Sequence, residues 1–128
     1  MLDTNTVSHL IKAHPAVGRR VVAVPMASLC ISAITEGELQ FGLARRPEAT
    51  RLHLAVRELL RRIDVLPWNR AVAECYGMVR AVMTQNGQTL APLGMLIAAH
   101  ALSADSILVT NDQAFARVAG LEVEDWTV

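Results

Sequence analysis

Three carboxylates in this chain sit where they could do chemistry, and each does so in the same setting. Asp3 follows the short apolar run Met1-Leu2 and is followed by Thr4 and Asn5, then by Val7, Leu10 and Ile11 at helical spacing. Asp112 closes the polar stop Thr110-Asn111-Asp112 after Ile107-Leu108-Val109. Glu38 lies about a turn into the helical pattern that follows a third apolar run, Leu29-Cys30-Ile31-Ser32. Buried parallel strands read as short apolar runs, and open α/β sheets place their ligands beyond the carboxyl ends of such strands, so the three acids can converge at one edge. Clustered carboxylates bind Mg²⁺ or Mn²⁺, hard ions that take oxygen ligands, and such an ion activates water and offsets charge on a phosphoryl oxygen. Plainer roles are open to the same residues. Asp3, Thr4 or Asn5 would cap the first helix, and Thr35 with Glu38 has capping-box spacing. Other chemistries find little support: there is no Gly-rich phosphate loop, no serine or cysteine has the setting of a nucleophile, and His100 lies in an apolar helix where a hydrogen-bonded core role is expected.

The elements that must position these acids alternate between strand and helix. Helices are expected from about Asn5 to Ala13, with Pro15 ending the first, from Ala16 to about Val24, and from about Thr35 onward. Leu52, Val56, Leu59, Leu60 and Ile63 form the stripe of an amphipathic helix whose other face, Arg57, Glu58, Arg61 and Arg62, reads as solvated. Asp64 to Pro67 reads as a strand, Arg70 to about Gln85 as a helix capped by Asn69, and Asn86-Gly87 as its left-handed stop. Pro92 to Leu102 is apolar nearly all round and is expected to be a buried helix. Ile107 to Val109 follows as a central strand, Phe115 and Val118 suit a short helical return, Leu121 to Val123 an edge strand, and Trp126 a closing contact. This order predicts an α/β fold, three layers α/β/α around a largely parallel sheet, formed by a single domain over residues 1–128.

Composition sets bounds on that picture. In 128 residues, 52% are hydrophobic but only 4% aromatic, so the core must be aliphatic. Formal net charge is +0, so no global field draws the chain to nucleic acid or membrane. Cys30 and Cys75 are expected to be small buried hydrophobes in a reducing compartment rather than a disulfide. No basic leader precedes a long apolar segment, and no run approaches the roughly 18 apolar residues of a membrane span, which predicts a cytoplasmic protein without a membrane anchor.

Four stretches in order carry a family resemblance: Met1-Leu2-Asp3-Thr4-Asn5; Ile31 to Thr35 leading to Glu38-Leu39-Gln40-Phe41-Gly42; Pro92-Leu93 leading to Met95 through Ala101; and Leu108-Val109-Thr110-Asn111. Together they resemble the PIN-domain toxins of VapC type, over nearly the whole chain. The resemblance implies a Mg²⁺- or Mn²⁺-dependent endoribonuclease acting on structured RNA such as tRNA. It also implies a homodimer and an antitoxin of VapB type that holds the toxin inactive. Asp3 and Glu38 match the first two acids of the family's metal cluster, and Asp112 occupies the region of the fourth. Thr4, Asn5, Thr110 and Asn111 match polar residues that orient water or ligands. An antitoxin segment is expected over Val7, Leu10, Ile11, Phe41 and Leu43, bringing a basic residue to the acids. One position departs from the pattern. Where the family's buried helix opens with proline, an apolar residue and aspartate, the third residue here is Gly94. The resemblance therefore leaves two expectations: a ribonuclease toxin weakened or inactivated at Gly94, or a catalytically dead scaffold that dimerises and captures its antitoxin as a regulatory module.

Overall fold

Short parallel strands build the sheet of the computed structural model, which describes residues 1–128. Strand β1 (Cys30–Ser32) pairs with β2 (Asp64–Leu66), Ile31 opposite Val65, and β3 (Leu108–Val109) pairs with β4 (Val123–Glu124), Leu108 opposite Val123. The N-terminal segment joins the two pairs. Leu2 N–H donates to Cys30 O at 2.9 Å, Asp3 N–H to Val109 O at 3.1 Å, and Val109 N–H to Met1 O at 2.8 Å. The spatial order is β2, β1, the N-terminal segment, β3, β4, and every pairing is parallel.

Alternation along these strands divides the core in two. Leu2, Ile31 and Val109 face one side, where they meet Val7 of α1 (Thr4–Ile11), Val17 and Val21 of α2 (Pro15–Val22), Leu39 of α3 (Ala33–Arg45) and Val56 of α4 (Thr50–Arg62). Met1 and Leu108 face the other, against Met83 of α5 (Arg70–Gln85) and Met95, Ile97, Ala98 and Ala101 of α6 (Pro92–Ser103). Phe115 and Val118, in and after the 3₁₀ turn Gln113–Arg117, complete that second core. Both faces of a parallel sheet are thus covered by helices, the α/β/α arrangement expected from the alternating pattern.

Several local expectations are corrected. Helix α1 begins at Thr4, because Asp3 is its cap, and ends at Ile11, with Ala13 turning left-handed at φ 60°. Pro15 does not simply end α1; it opens α2, where its fixed φ and missing N–H suit the first turn. The capping box at Thr35 does not form, since Ser32 caps α3 by accepting from Ile34 N–H, and Thr35 is buried inside the helix. Strand β3 starts at Leu108, leaving Ile107 exposed, and β4 begins at Val123, two residues later than its pattern suggested. Cys30 and Cys75 are only half-buried, and burial pushes the Cys75 thiol above its ordinary pKa. Asn69, by contrast, caps α5 through Val72 N–H, and Gly87 at φ 68° ends it. Trp126 closes the first core, its indole N–H donating to Glu124, which also pairs with Arg20.

His100 ties α6 to the end of β1. The residue is 2% exposed, and its Nδ1 lies 2.7 Å from Oγ of Ser32, the hydroxyl that caps α3. Burial lowers the imidazole pKa below its ordinary 6.5. The unfolded chain therefore binds a proton more readily than the folded one. Stability linked to His100 is complete above about pH 6.5 and is lost as pH falls through 6.5 toward the folded pKa. Urea midpoints measured from pH 7.5 down to 5.5 are expected to fall in the native sequence and to fall less in His100→Asn. Equal slopes in the two proteins would contradict this assignment.

Candidate active site

Each of the three acids reaches the carboxyl edge of the sheet through a local cap or turn. Asp3 ends the N-terminal extended segment and caps α1, Oδ1 accepting from Thr6 N–H at 2.8 Å, while Thr6 Oγ1 donates to Val109 O at 2.9 Å and fastens the helix start to β3. Asp3 is 4% exposed. Glu38 stands on the second turn of α3, and its Oε1 accepts from Thr4 Oγ1 at 2.7 Å, so the residue after Asp3 fixes the second acid. Thr35 Oγ1 lies 3.3 Å from the same threonine hydroxyl. Asp112 follows β3 across a tight turn in which its N–H donates to Thr110 Oγ1 at 3.0 Å, and its Oδ1 caps the following 3₁₀ turn through Ala114 N–H at 2.9 Å.

These positions border one cleft of about 150 Å³, lined by Asp3, Thr4, Asn5, Glu38, Gly94 and Asp112, with Leu93, Ile97 and Phe115 among its apolar walls. Every hydrogen bond to the three acids comes from a neutral group, and no lysine or arginine pairs with any of them. The acids nevertheless do not form a closed cage: no three His, Cys, Asp or Glu side chains approach closely enough to enclose an ion. A donor set of this kind fits Mg²⁺ or Mn²⁺ held by one or two carboxylates and several waters, the common mode for Mg²⁺, rather than a dehydrated ion.

Gly94 is the third residue of α6, at the cleft wall. Its backbone is not left-handed, so no conformational demand requires glycine there. A Cβ at this position would meet Cζ of Phe115 at 3.3 Å, close enough that the ring must give by a few tenths of an ångström. Of the polar residues picked out in the sequence, Thr4 and Asn5 line the cleft, while Thr110 is buried beneath Asp112 and Asn111 is exposed outside the lining. Sequence reasoning missed the apolar walls. Phe115 registered only as part of a short helical return, and Leu93 and Ile97 only as part of a buried helix.

A family model for the PIN domain matches residues 1–121. The chain belongs to the PIN-domain family. Within it the resemblance is to VapC proteins. This PIN chain is 40% identical to the tRNA(fMet)-specific endonuclease VapC of Shigella flexneri, over 99% of this chain and 97% of the relative. It is 37% identical to the protein of the same name from Salmonella typhimurium, over 98% and 96% of the two chains. Among solved structures, DNA-bound VapBC of Salmonella typhimurium superimposes with a TM-score of 0.89 at 34% identity, covering 98% of this chain and 96% of that one. VapBC2 of Rickettsia felis, bound to a DNA fragment from its promoter, gives 0.89 at 27% identity over 98% and 97%. The homologues of this PIN domain are thus VapC endoribonucleases, and its fold matches VapC structures nearly end to end. No helix is long and apolar enough to cross a membrane.

Proposed function

We propose that this VapC-type chain is a Mg²⁺- or Mn²⁺-dependent endoribonuclease toxin, acting on structured RNA of the tRNA class, whose activity is lowered by glycine at position 94. The observation that carries the reading is the single cleft shared by Asp3, Glu38 and Asp112, none of them ion-paired, at the carboxyl edge of the sheet. Asp3, Glu38 and Asp112 are the carboxylates that would hold the ion, directly or through its waters. A bound ion of this kind supplies an activated water and offsets charge on the phosphoryl oxygen under attack. The chain's own part is positional. The Thr6 N–H holds Asp3 at the end of the N-terminal segment, Thr4 Oγ1 holds Glu38, and the backbone of Asp112 is held by Thr110. Leu93, Ile97 and Phe115 line the cleft beside them and give it an apolar wall. Position 94 contributes backbone alone.

A second reading has support of its own. With no carboxylate at position 94 and no three-acid cluster preformed, the chain would serve as a dead scaffold that dimerises and captures a VapB-type antitoxin, acting on its operon through the antitoxin's DNA-binding end. Under both readings the protein is a cytoplasmic homodimer bound by its antitoxin. Incubation of a transcribed tRNA with the purified protein separates them. Cleavage that needs Mg²⁺ or Mn²⁺ and stops with EDTA supports the nuclease. Intact RNA under all conditions, including after a carboxylate is restored at position 94, supports the scaffold.

A further inference from the structure

Phe41 is the one aromatic side chain that this fold leaves in solvent. The chain has two phenylalanines, two tryptophans and one tyrosine. Phe115 and Trp126 are buried and Trp68 and Tyr76 half-buried, whereas Phe41 is 63% exposed. The expected antitoxin face grouped it with Val7, Leu10, Ile11 and Leu43, but on α3 Phe41 stands on a different face from Leu43. Val7 is fully buried, and Leu10, Ile11 and Leu43 pack against the core around Leu2. Phe41 belongs to a different stripe of α3: Ile34, Glu38, Phe41 and Arg45, spaced at i, i+4, i+7 and i+11, share the face away from Leu39 and Leu43. That stripe starts at Ile34 against the second core, passes Glu38 at the cleft, and emerges at Phe41 and Arg45.

The surroundings of the ring suit a flat partner. The Arg45 guanidinium lies 5.5 Å from the ring centroid and enters no ion pair. Gly37 and Ala44, both exposed, flank the ring on the same side of the helix, and a Cβ added at Gly37 would touch nothing within 4 Å. The ring therefore has low shoulders and a free cation beside it. Single-stranded nucleic acid is held by this combination, a base stacking on an aromatic face while an arginine meets the phosphate or extends the stack. An amphipathic peptide helix needs several apolar anchors along a groove, and the neighbours of Phe41 on its face are an acid, a guanidinium, a glycine and an alanine.

Resting on the nuclease reading above, we infer that Phe41 and Arg45 form a base-stacking subsite that holds an unpaired nucleotide of the RNA beside the cleft. The substrate is then an RNA whose cleaved phosphate adjoins an unstacked base, as in a loop or a single strand. The test is binding of a fluorescein-labelled single-stranded RNA 12-mer by anisotropy in EDTA, which needs no catalysis, alongside the same strand with abasic sugars. Phe41→Ala is expected to weaken binding of the intact strand by about 5- to 150-fold, the range for loss of one stacked base. Phe41→Trp should retain it, and the abasic strand should not distinguish the three proteins. Because the ring is exposed, both variants should fold, as circular dichroism will check. Equal affinity of Phe41→Ala and the native protein for the intact strand overturns the subsite while leaving the nuclease reading standing. So does a variant that keeps RNA affinity but no longer co-purifies with its antitoxin, which would give the ring to the protein partner. If neither the native protein nor Gly94→Asp binds or cuts RNA, the nuclease reading falls and the subsite with it.

Discussion

Gly94→Asp is expected to raise metal-dependent cleavage of a structured RNA by at least about tenfold, a floor set by the roughly 10- to 100-fold effects of changes even one shell removed from a metal. The substitution adds a carboxylate to the wall of a cleft that already carries Asp3, Glu38 and Asp112. Its cost to the fold should be small. Position 94 is in the first turn of α6, where the helix dipole favours negative charge, and glycine there has no conformational advantage. The tight contact is with the far end of the Phe115 side chain rather than backbone. Adding a further acid to a group without ion-paired bases does raise like-charge repulsion, so the metal-free variant should melt slightly lower. Mg²⁺ or Mn²⁺ should then stabilise it more than it stabilises the native sequence, because an ion that binds only the folded state adds to stability by mass action. Thermal melts with and without metal read this independently of catalysis. A metal-induced shift no larger in Gly94→Asp than in the native chain would mean that position 94 does not face the ion.

Asp3→Asn, placed in the Gly94→Asp protein, is expected to return cleavage to background, a loss of at least about tenfold. The variant is informative because Asp3 has two separable duties. Its Oδ1 caps α1 by accepting from Thr6 N–H, and asparagine caps a helix about as well as aspartate. What asparagine removes is the charge, in a residue otherwise enclosed by the N-terminal segment and α1. Urea midpoints should therefore stay close to those of the parent while activity vanishes. A variant that cuts RNA as fast as its parent would show that Asp3 is only a cap, the plainer of the two readings open in the sequence.

Much of the fold was legible because buried parallel strands and amphipathic helices leave different periods. The runs around Leu2, Ile31 and Leu108, and the all-apolar helix after Pro92, announced a sheet covered on both faces. The polar stops at Asp3 and Asp112 marked two residues that border one cleft in the fold. What stayed hidden depends on contacts between distant segments. Nothing local says that Ser32 rather than Thr35 caps α3, since both have the right chemistry, and the choice follows from where β1 stops pairing with β2. The bond from Thr4 to Glu38 likewise joins residues far apart in the sequence, and it gives Glu38 a partner that its capping-box spacing did not suggest. Phe115 illustrates the limit from the apolar side. Its spacing suited a short helical return, and only folding brings the ring against Gly94.

On the function proposed above, this cleft is a metal-dependent nuclease site short of one carboxylate at position 94. Single-turnover cleavage of one transcribed tRNA, with Mg²⁺ or Mn²⁺ titrated across the native protein and Gly94→Asp, tests it most directly, folding of both being checked beforehand. Near-background cleavage by the native chain is expected, with a metal-saturable rate at least about tenfold higher in the variant. Equal rates in the two proteins, both well above a chelated control, would contradict it and show that Asp3, Glu38 and Asp112 suffice.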